Sequence, residues 1–211
     1  MNELLGPSWT RNLRAAVRLA IYLVFTLILI PIQFLAVTAK LPLRSSLPVF
    51  YHRVCCRRWG ISIEVRGKIA SGRPTLFVSN HNSYLDIPVL STIGSLSFVA
   101  KSEVSSWPFF GLLAKLQQTV FIDRRRASAG KQRDAIGQRL ANGDRLVLFA
   151  EGTSSDGNRV LPFKSALFSV AERRDDRQPL TVQPVSVAYV SRTGMPMGRT
   201  LRPLFAGSGE L

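Results

Sequence analysis

A chain of 211 residues is long enough for one well-packed domain with an appendage and too short for two independent catalytic domains. With 46% hydrophobic and 19% charged residues it is neither disordered nor fibrous as a whole. Twenty-eight Lys and Arg against 13 Asp and Glu leave a formal charge of +15, which calls for a polyanionic partner: nucleic acid, an anionic membrane surface or a phosphorylated ligand. The two cysteines, Cys55 and Cys56, are adjacent, so no disulfide framework is expected and a reducing compartment is the simpler reading.

Residues 1–60 carry Arg11, Arg14, Arg18, Lys40, Arg44, Arg53, Arg57 and Arg58 against the single acid Glu3, and are expected to form a basic, membrane-associated appendage ahead of a domain at 61–211. Between its basic flanks, residues 19–39 contain no charge, which is about the length that crosses a bilayer core of roughly 30 Å. A secretory signal peptide is the competing reading, although the run exceeds the usual apolar core of about 7–15 residues. Basic residues at both ends and Pro31 within the run favour a bent insertion into one leaflet over a simple span, because Lys and Arg are retained on the cytoplasmic side. The expected location is the cytoplasmic face of the inner membrane. Residues 47–59 place Val49, Phe50, Arg53, Val54 and Arg57 at helical spacings, fitting either an interfacial amphipathic helix or an ordinary packing helix.

From residue 61 onward, short β-branched or aromatic runs alternate with helical segments, which predicts an α/β domain with a mainly parallel sheet flanked by helices. Strands are expected at 61–65, 75–79, 96–100, 119–122, 145–150 and 182–190, and helices near 86–93, 104–117, 128–141 and 163–173. Asn142-Gly143 supplies a stop signal for the third of these helices.

The reactive side chains gather just beyond strand ends. His81 follows the strand at 75–79, Lys101 the one at 96–100, Asp123 and Arg124 the one at 119–122, and Glu151 the one at 145–150. In an open parallel sheet that edge is where ligands bind, so four segments can converge on one pocket. His81 and Asp86 are five residues apart, about 140° around a regular helix, so a direct contact requires His81 to lie in the loop before the helix. A carboxylate on one ring nitrogen would fix the tautomer and leave the other nitrogen free to take a proton from a hydroxyl. The plainer reading makes Asp86 a helix-start residue, Ser83 its cap and His81 an ordinary loop histidine. Arg124 at a strand end suits two-point recognition of phosphate, whereas Arg125 and Arg126 read as a solvated basic turn. Glu151-Gly152-Thr153-Ser154-Ser155 is a small-residue loop able to present backbone donors and hydroxyls, or a tight turn with Glu151 as an ion-pair partner.

Taken in order, these segments resemble the glycerolipid acyltransferase family, which includes 1-acylglycerol-3-phosphate acyltransferases, over residues 61–190. Asn80-His81-Asn82-Ser83-Tyr84-Leu85-Asp86 resembles the family's His-x4-Asp block and implies His81 as general base oriented by Asp86. Phe121-Ile122-Asp123-Arg124 resembles the second block and implies that Arg124, together with Lys101, holds the acceptor's phosphate. Phe149-Ala150-Glu151-Gly152-Thr153-Ser154 resembles a Phe-Pro-Glu-Gly-Thr block and implies acceptor positioning by Glu151, Gly152 and Thr153. Gln183-Pro184-Val185 resembles the fourth block, associated with the acyl chain or donor.

Ala150 stands where the family usually has proline, and Ser154 where many members carry arginine; both loosen what the resemblance implies about the acceptor head group. The chain also stops soon after the fourth block, which implies a shortened carboxyl-terminal region. The implied reaction is transfer from acyl-coenzyme A or acyl carrier protein to the sn-2 hydroxyl of a lysophosphatidic acid, with no cofactor and no covalent acyl-enzyme. Another lysolipid, such as lyso-ornithine lipid, is the alternative acceptor. The remaining partners implied are membrane lipids. Thr153, Ser154 and Ser155 lack a Gly-x-Ser-x-Gly elbow, and two histidines with a vicinal cysteine pair give no zinc-like spacing. A membrane-tethered nucleic-acid binder fits the charge, but aromatic interleaving is slight and no helix-turn-helix or zinc module is present, so no nucleic-acid partner is expected. A catalytically silent lipid binder is the third class.

Overall fold

A computed structural model of the chain describes residues 8–70, 74–123, 129–155, 161–164, 168 and 180–190. The chain divides into two compact units, Met1–Leu47 and Pro48–Leu211.

In the first unit, helix α1 (Ser8–Thr38) runs unbroken through Pro31. Its stretch Asn12–Thr38 is long and apolar enough to cross a membrane, 27 residues or about 40 Å at the helical rise. Leu27, Ile28, Phe34 and Leu35 are each more than half exposed, so the apolar face that an aqueous protein would bury is left outside. Thr26 and Thr38 turn their hydroxyls onto the carbonyls of Tyr22 and Phe34 one helical turn back, which satisfies these polar groups without water. α1 stops at a turn centred on Lys40, whose φ of 52° is left-handed. Leu41 N–H donates to Ala36 C=O at 2.9 Å and Lys40 N–H to Val37 C=O at 3.3 Å, a Schellman cap closed by lysine rather than glycine. Gln33 Nε2 then donates to the Arg44 carbonyl at 2.9 Å, so the chain folds back on itself here.

Helix α2 (Leu43–Arg58) starts four residues before the predicted 47–59. Its apolar and polar residues are spread around the helix rather than sorted to two faces, contrary to the amphipathic expectation. Its second half packs within the larger unit. Cys55 and Cys56 are buried, Arg53 Nε donates to the Thr92 carbonyl at 3.0 Å, and His52 Nε2 meets Gln117 Oε1 at 3.2 Å.

Among the described residues the larger unit has five strands, β1 (Thr75–Ser79), β2 (Ser97–Lys101), β3 (Val120–Ile122), β4 (Arg145–Phe149) and β5 (Thr181–Val185), in the order β3-β2-β4-β1-β5. Every pairing among them is parallel. Helices α3 (Asp86–Ser91), α4 (Phe110–Leu116) and α5 (Ala129–Ala141) connect them. Alternation along the strands splits the core into two clusters. Leu76, Leu146 and Leu148 pack with Ile136 and Leu140 of α5, while Phe77, Val147 and Phe149 pack with Leu90, Phe98 and Val187. Pro184 sits in β5, which among the described residues pairs only with β1; a residue without an N–H is tolerated at such an edge. α5 ends as predicted at Asn142-Gly143. Gly143 adopts φ 85°, its N–H reaches Leu140 C=O, and Asp144 N–H reaches Arg139 C=O.

Four expected elements differ. Residues 61–65 form no strand, because the Ile61 N–H is taken by the Cys56 carbonyl in the cap of α2. The helix predicted over 104–117 breaks into a short 3-10 turn (Ser102–Ser106) and α4. Pro108 keeps Trp107 extended, with ψ 131°, and so interrupts the helix. The strand predicted over 182–190 ends at Val185. The next backbone groups, at Val187, bond to side chains instead of a ladder. Of the helix predicted over 163–173, residues 163 and 164 are not helical and Phe168 lies in a 3-10 turn; 165–167 and 169–173 lie outside the described residues.

Candidate active site

β1 leaves the core at Ser79 and the chain enters an irregular loop, Asn80 to Ser83, before α3. This loop sets the imidazole against the carboxylate, with His81 Nδ1 2.8 Å from Asp86 Oδ2. The same oxygen accepts the backbone N–H groups of Asn82 at 2.6 Å and Ser83 at 3.0 Å, and Oδ1 accepts the Tyr189 hydroxyl at 2.7 Å. A fully buried carboxylate with four donors is an acceptor only, so Nδ1 carries the proton and Nε2 is left with a free lone pair. The plainer reading of Ser83 and Asp86 also holds. Ser83 Oγ accepts the Leu85 N–H at 3.1 Å while Asp86 reaches back to the Ser83 N–H, so one carboxylate both starts α3 and orients the ring.

The ring is also held on its flat side. Phe149, the last residue of β4, stacks on His81 with ring centroids 4.0 Å apart and planes 17° apart. Register explains this, because Ser79 pairs with Phe149 across the β1–β4 ladder and His81 lies two residues beyond. The loop after β4 secures the His81 backbone through Ser155 N–H to His81 C=O at 2.8 Å. From the other neighbour of β1, Val187 is clamped: its N–H donates to Asn80 Oδ1 at 2.8 Å. Its carbonyl accepts Asn80 Nδ2 at 3.0 Å and Asn82 Nδ2 at 2.7 Å. Asn80, Asn82, Phe149 and Tyr189 are the members of this arrangement that sequence reasoning missed. The asparagines flanking His81 just past a buried strand offered a signal; Tyr189, 103 residues from its partner, offered none.

The other predicted site residues are placed as follows. Lys101 is the last residue of β2, at the same carboxyl edge of the sheet. Glu151 is buried directly after β4, and its Oε2 accepts the Leu161 N–H at 3.3 Å. Gly152 adopts φ 66° and closes a turn through its N–H to the Phe149 carbonyl at 3.0 Å, with Thr153 half-buried beside it. Arg124 lies outside the described residues. A surface depression of about 710 Å³ lies between the end of α2, residues 60–69 and Thr92–Ile93, and none of the predicted site residues lines it.

A fixed imidazole with one free nitrogen, at the carboxyl edge of a parallel sheet, defines a site able to take a proton from an oxygen nucleophile, as group-transfer enzymes require. Comparison with known proteins supplies the family. Residues 62–188 match the family described as Acyltransferase, and the chain belongs to that family. It is 47% identical over 204 residues to the lyso-ornithine lipid O-acyltransferase of Brucella abortus, covering 95% of this chain and 76% of that one. It is 36% identical over 152 residues to the 1-acyl-sn-glycerol-3-phosphate acyltransferase of Neisseria gonorrhoeae, covering 71% of this chain and 56% of that one. Its fold matches the crystal structure of the acyltransferase PlsC from Thermotoga maritima with a TM-score of 0.61, at 20% identity, over 92% of both chains.

Proposed function

We propose that the chain transfers an acyl group from an acyl thioester, acyl-coenzyme A or acyl-acyl carrier protein, to the free hydroxyl of lyso-ornithine lipid. The observation that carries the acceptor is the 47% identity across 95% of the chain to the Brucella enzyme of that name. Ser154 is in keeping with it, standing at the position of the third block where many members of the family carry arginine. An ornithine head group presents a carboxylate and an amine, so one cation fewer suits it. In this reading His81 Nε2 removes the hydroxyl proton as the oxygen attacks the thioester carbonyl. The C–S bond then breaks, the thiol leaves with a proton, and Asp86 stabilises the transient imidazolium. Lys101 and Arg124 bind the acceptor's anionic group, Glu151, Gly152 and Thr153 position it, and α1 keeps the enzyme at the cytoplasmic face of the membrane. A second reading, acylation of 1-acylglycerol-3-phosphate, is favoured by the 36% identity to the Neisseria enzyme.

The test is purified protein in detergent with both donor types and a panel of lysolipids, read by product mass. Acylated lyso-ornithine lipid at a kcat/KM at least about tenfold above that for any phosphate-bearing acceptor is the expected result. Phosphatidic acid as the main product would replace the acceptor, and no product with any lysolipid would overturn the reading.

A further inference from the structure

Asp86 has two oxygens, and they are held differently. Oδ2 gathers the His81 ring N–H and two backbone N–H groups from its own loop, all within five residues of sequence. Among the described residues Oδ1 has one donor, the Tyr189 hydroxyl at 2.7 Å, brought from beyond β5. Asp86 is fully buried, so without that hydroxyl a charged oxygen would face the interior unbonded. The phenol is itself set in place: Val187, two residues earlier, is bonded through both backbone groups to Asn80 and Asn82, the residues on either side of His81. Val187 also packs in the cluster that contains Phe149, the ring stacked on His81.

We propose that Tyr189 is a positioning residue for the base: it binds the outer oxygen of Asp86, fixes the rotation of the carboxylate, and draws off part of the negative charge that would otherwise act on the imidazole. This rests on His81 being the base. Burial, and then the negative charge of Asp86, push the Tyr189 phenol far above its ordinary range, so it remains a donor at every working pH. Among the described residues, the Cys56 thiol of α2 acts electrostatically on Tyr189, and Glu151 and Lys101 lie at the same sheet edge. Burial pushes the Cys56 thiol up to about 11, so it stays neutral too.

Removing the hydroxyl concentrates the carboxylate's charge on the imidazole, which then releases its proton only at higher pH. In full-length protein assayed in detergent with lyso-ornithine lipid and acyl-coenzyme A, Tyr189→Phe is expected to lower kcat about tenfold with both KM values nearly unchanged. The acid limb of the kcat/KM profile should move up by about half a pH unit or more. Incorporation of 3-fluorotyrosine at 189, a stronger donor of the same shape that folds as wild type, should move the limb the other way. In an Asp86→Asn background the Tyr189→Phe effect should vanish. Unmoved limbs in both Tyr189 variants, or an undiminished effect in the Asp86→Asn background, would overturn the proposal while leaving His81 as the base. Full activity of His81→Gln in the same assay would remove the base reading and this proposal with it.

Discussion

The two histidines of the chain sit in opposite surroundings. His81 lies past the end of a central strand and faces a carboxylate; His52 lies in α2 and faces the amide of Gln117, just past the end of α4. His52 Nε2 donates to Gln117 Oε1, the Tyr51 ring stands edge-on at 5.0 Å, and Nδ1 is buried without a hydrogen-bond partner. Burial therefore pushes its pKa down to about 4, against the weaker opposing effect of Gln117. The difference teaches that a histidine is equipped for proton transfer by what bonds its second nitrogen. A carboxylate at that position can stabilise the charged ring, whereas at His52 burial outweighs the Gln117 amide, holds the ring neutral and makes it part of the packing.

That contrast can be broken by substitution. His81→Ala is expected to lower acyl transfer by about 10⁴-fold, measured as thiol release, with the thermal midpoint nearly unchanged. Asp86→Asn should cost about 10²-fold in kcat, because the amide keeps the shape but not the charge that stabilises an imidazolium. His52→Ala should instead leave turnover per folded molecule intact and lower unfolding free energy by about 2 kcal/mol, read by denaturant titration. Turnover lost with stability retained in His52→Ala would erase the distinction between the two histidines.

The contrast also has a pH signature. Folded His52 binds its proton less readily than the unfolded chain, where the ordinary value is 6.5. Its contribution to stability is complete above about pH 6.5 and is lost as pH falls towards 4, by about 3 kcal/mol in all. His52→Gln should flatten that part of the stability profile while His81→Gln leaves it in place. The smallest effect concerns a position remote from both rings. Gly143→Ala, at φ 85° in open space, should cost about 1 kcal/mol, because a side chain there strains the left-handed cap of α5.

Much of this was legible from residue patterns. β1 occupies the predicted 75–79 without change and β2, β3 and β4 fall within one residue of expectation at either end, since short apolar runs between polar turns have few alternative uses in an α/β chain, whereas β5 ends five residues before the predicted 190. The His81–Asp86 contact followed from spacing once a loop was expected between strand and helix. What escaped was of two kinds. Caps closed by Lys40 and Gln118, both left-handed without being glycine, carry no residue signal, whereas Gly143 does. Contacts of long range carry none either: nothing near Tyr189 announces that it meets Asp86, and nothing near Val187 that it meets Asn80 and Asn82, because both contacts are made by β5 pairing with β1.

The strand order carries a consequence for how the enzyme comes into being. β1 emerges early in synthesis, yet its two neighbours, β4 and β5, come last among the described strands. A nascent polypeptide that has reached residue 150 has its histidine and aspartate but neither the clamp on Val187 nor the phenol. Closure across about a hundred residues must come first, and such long loops make assembly slow. The bonds to Asp86 and Asn80 that come from beyond β5 thus form only once that strand has joined β1.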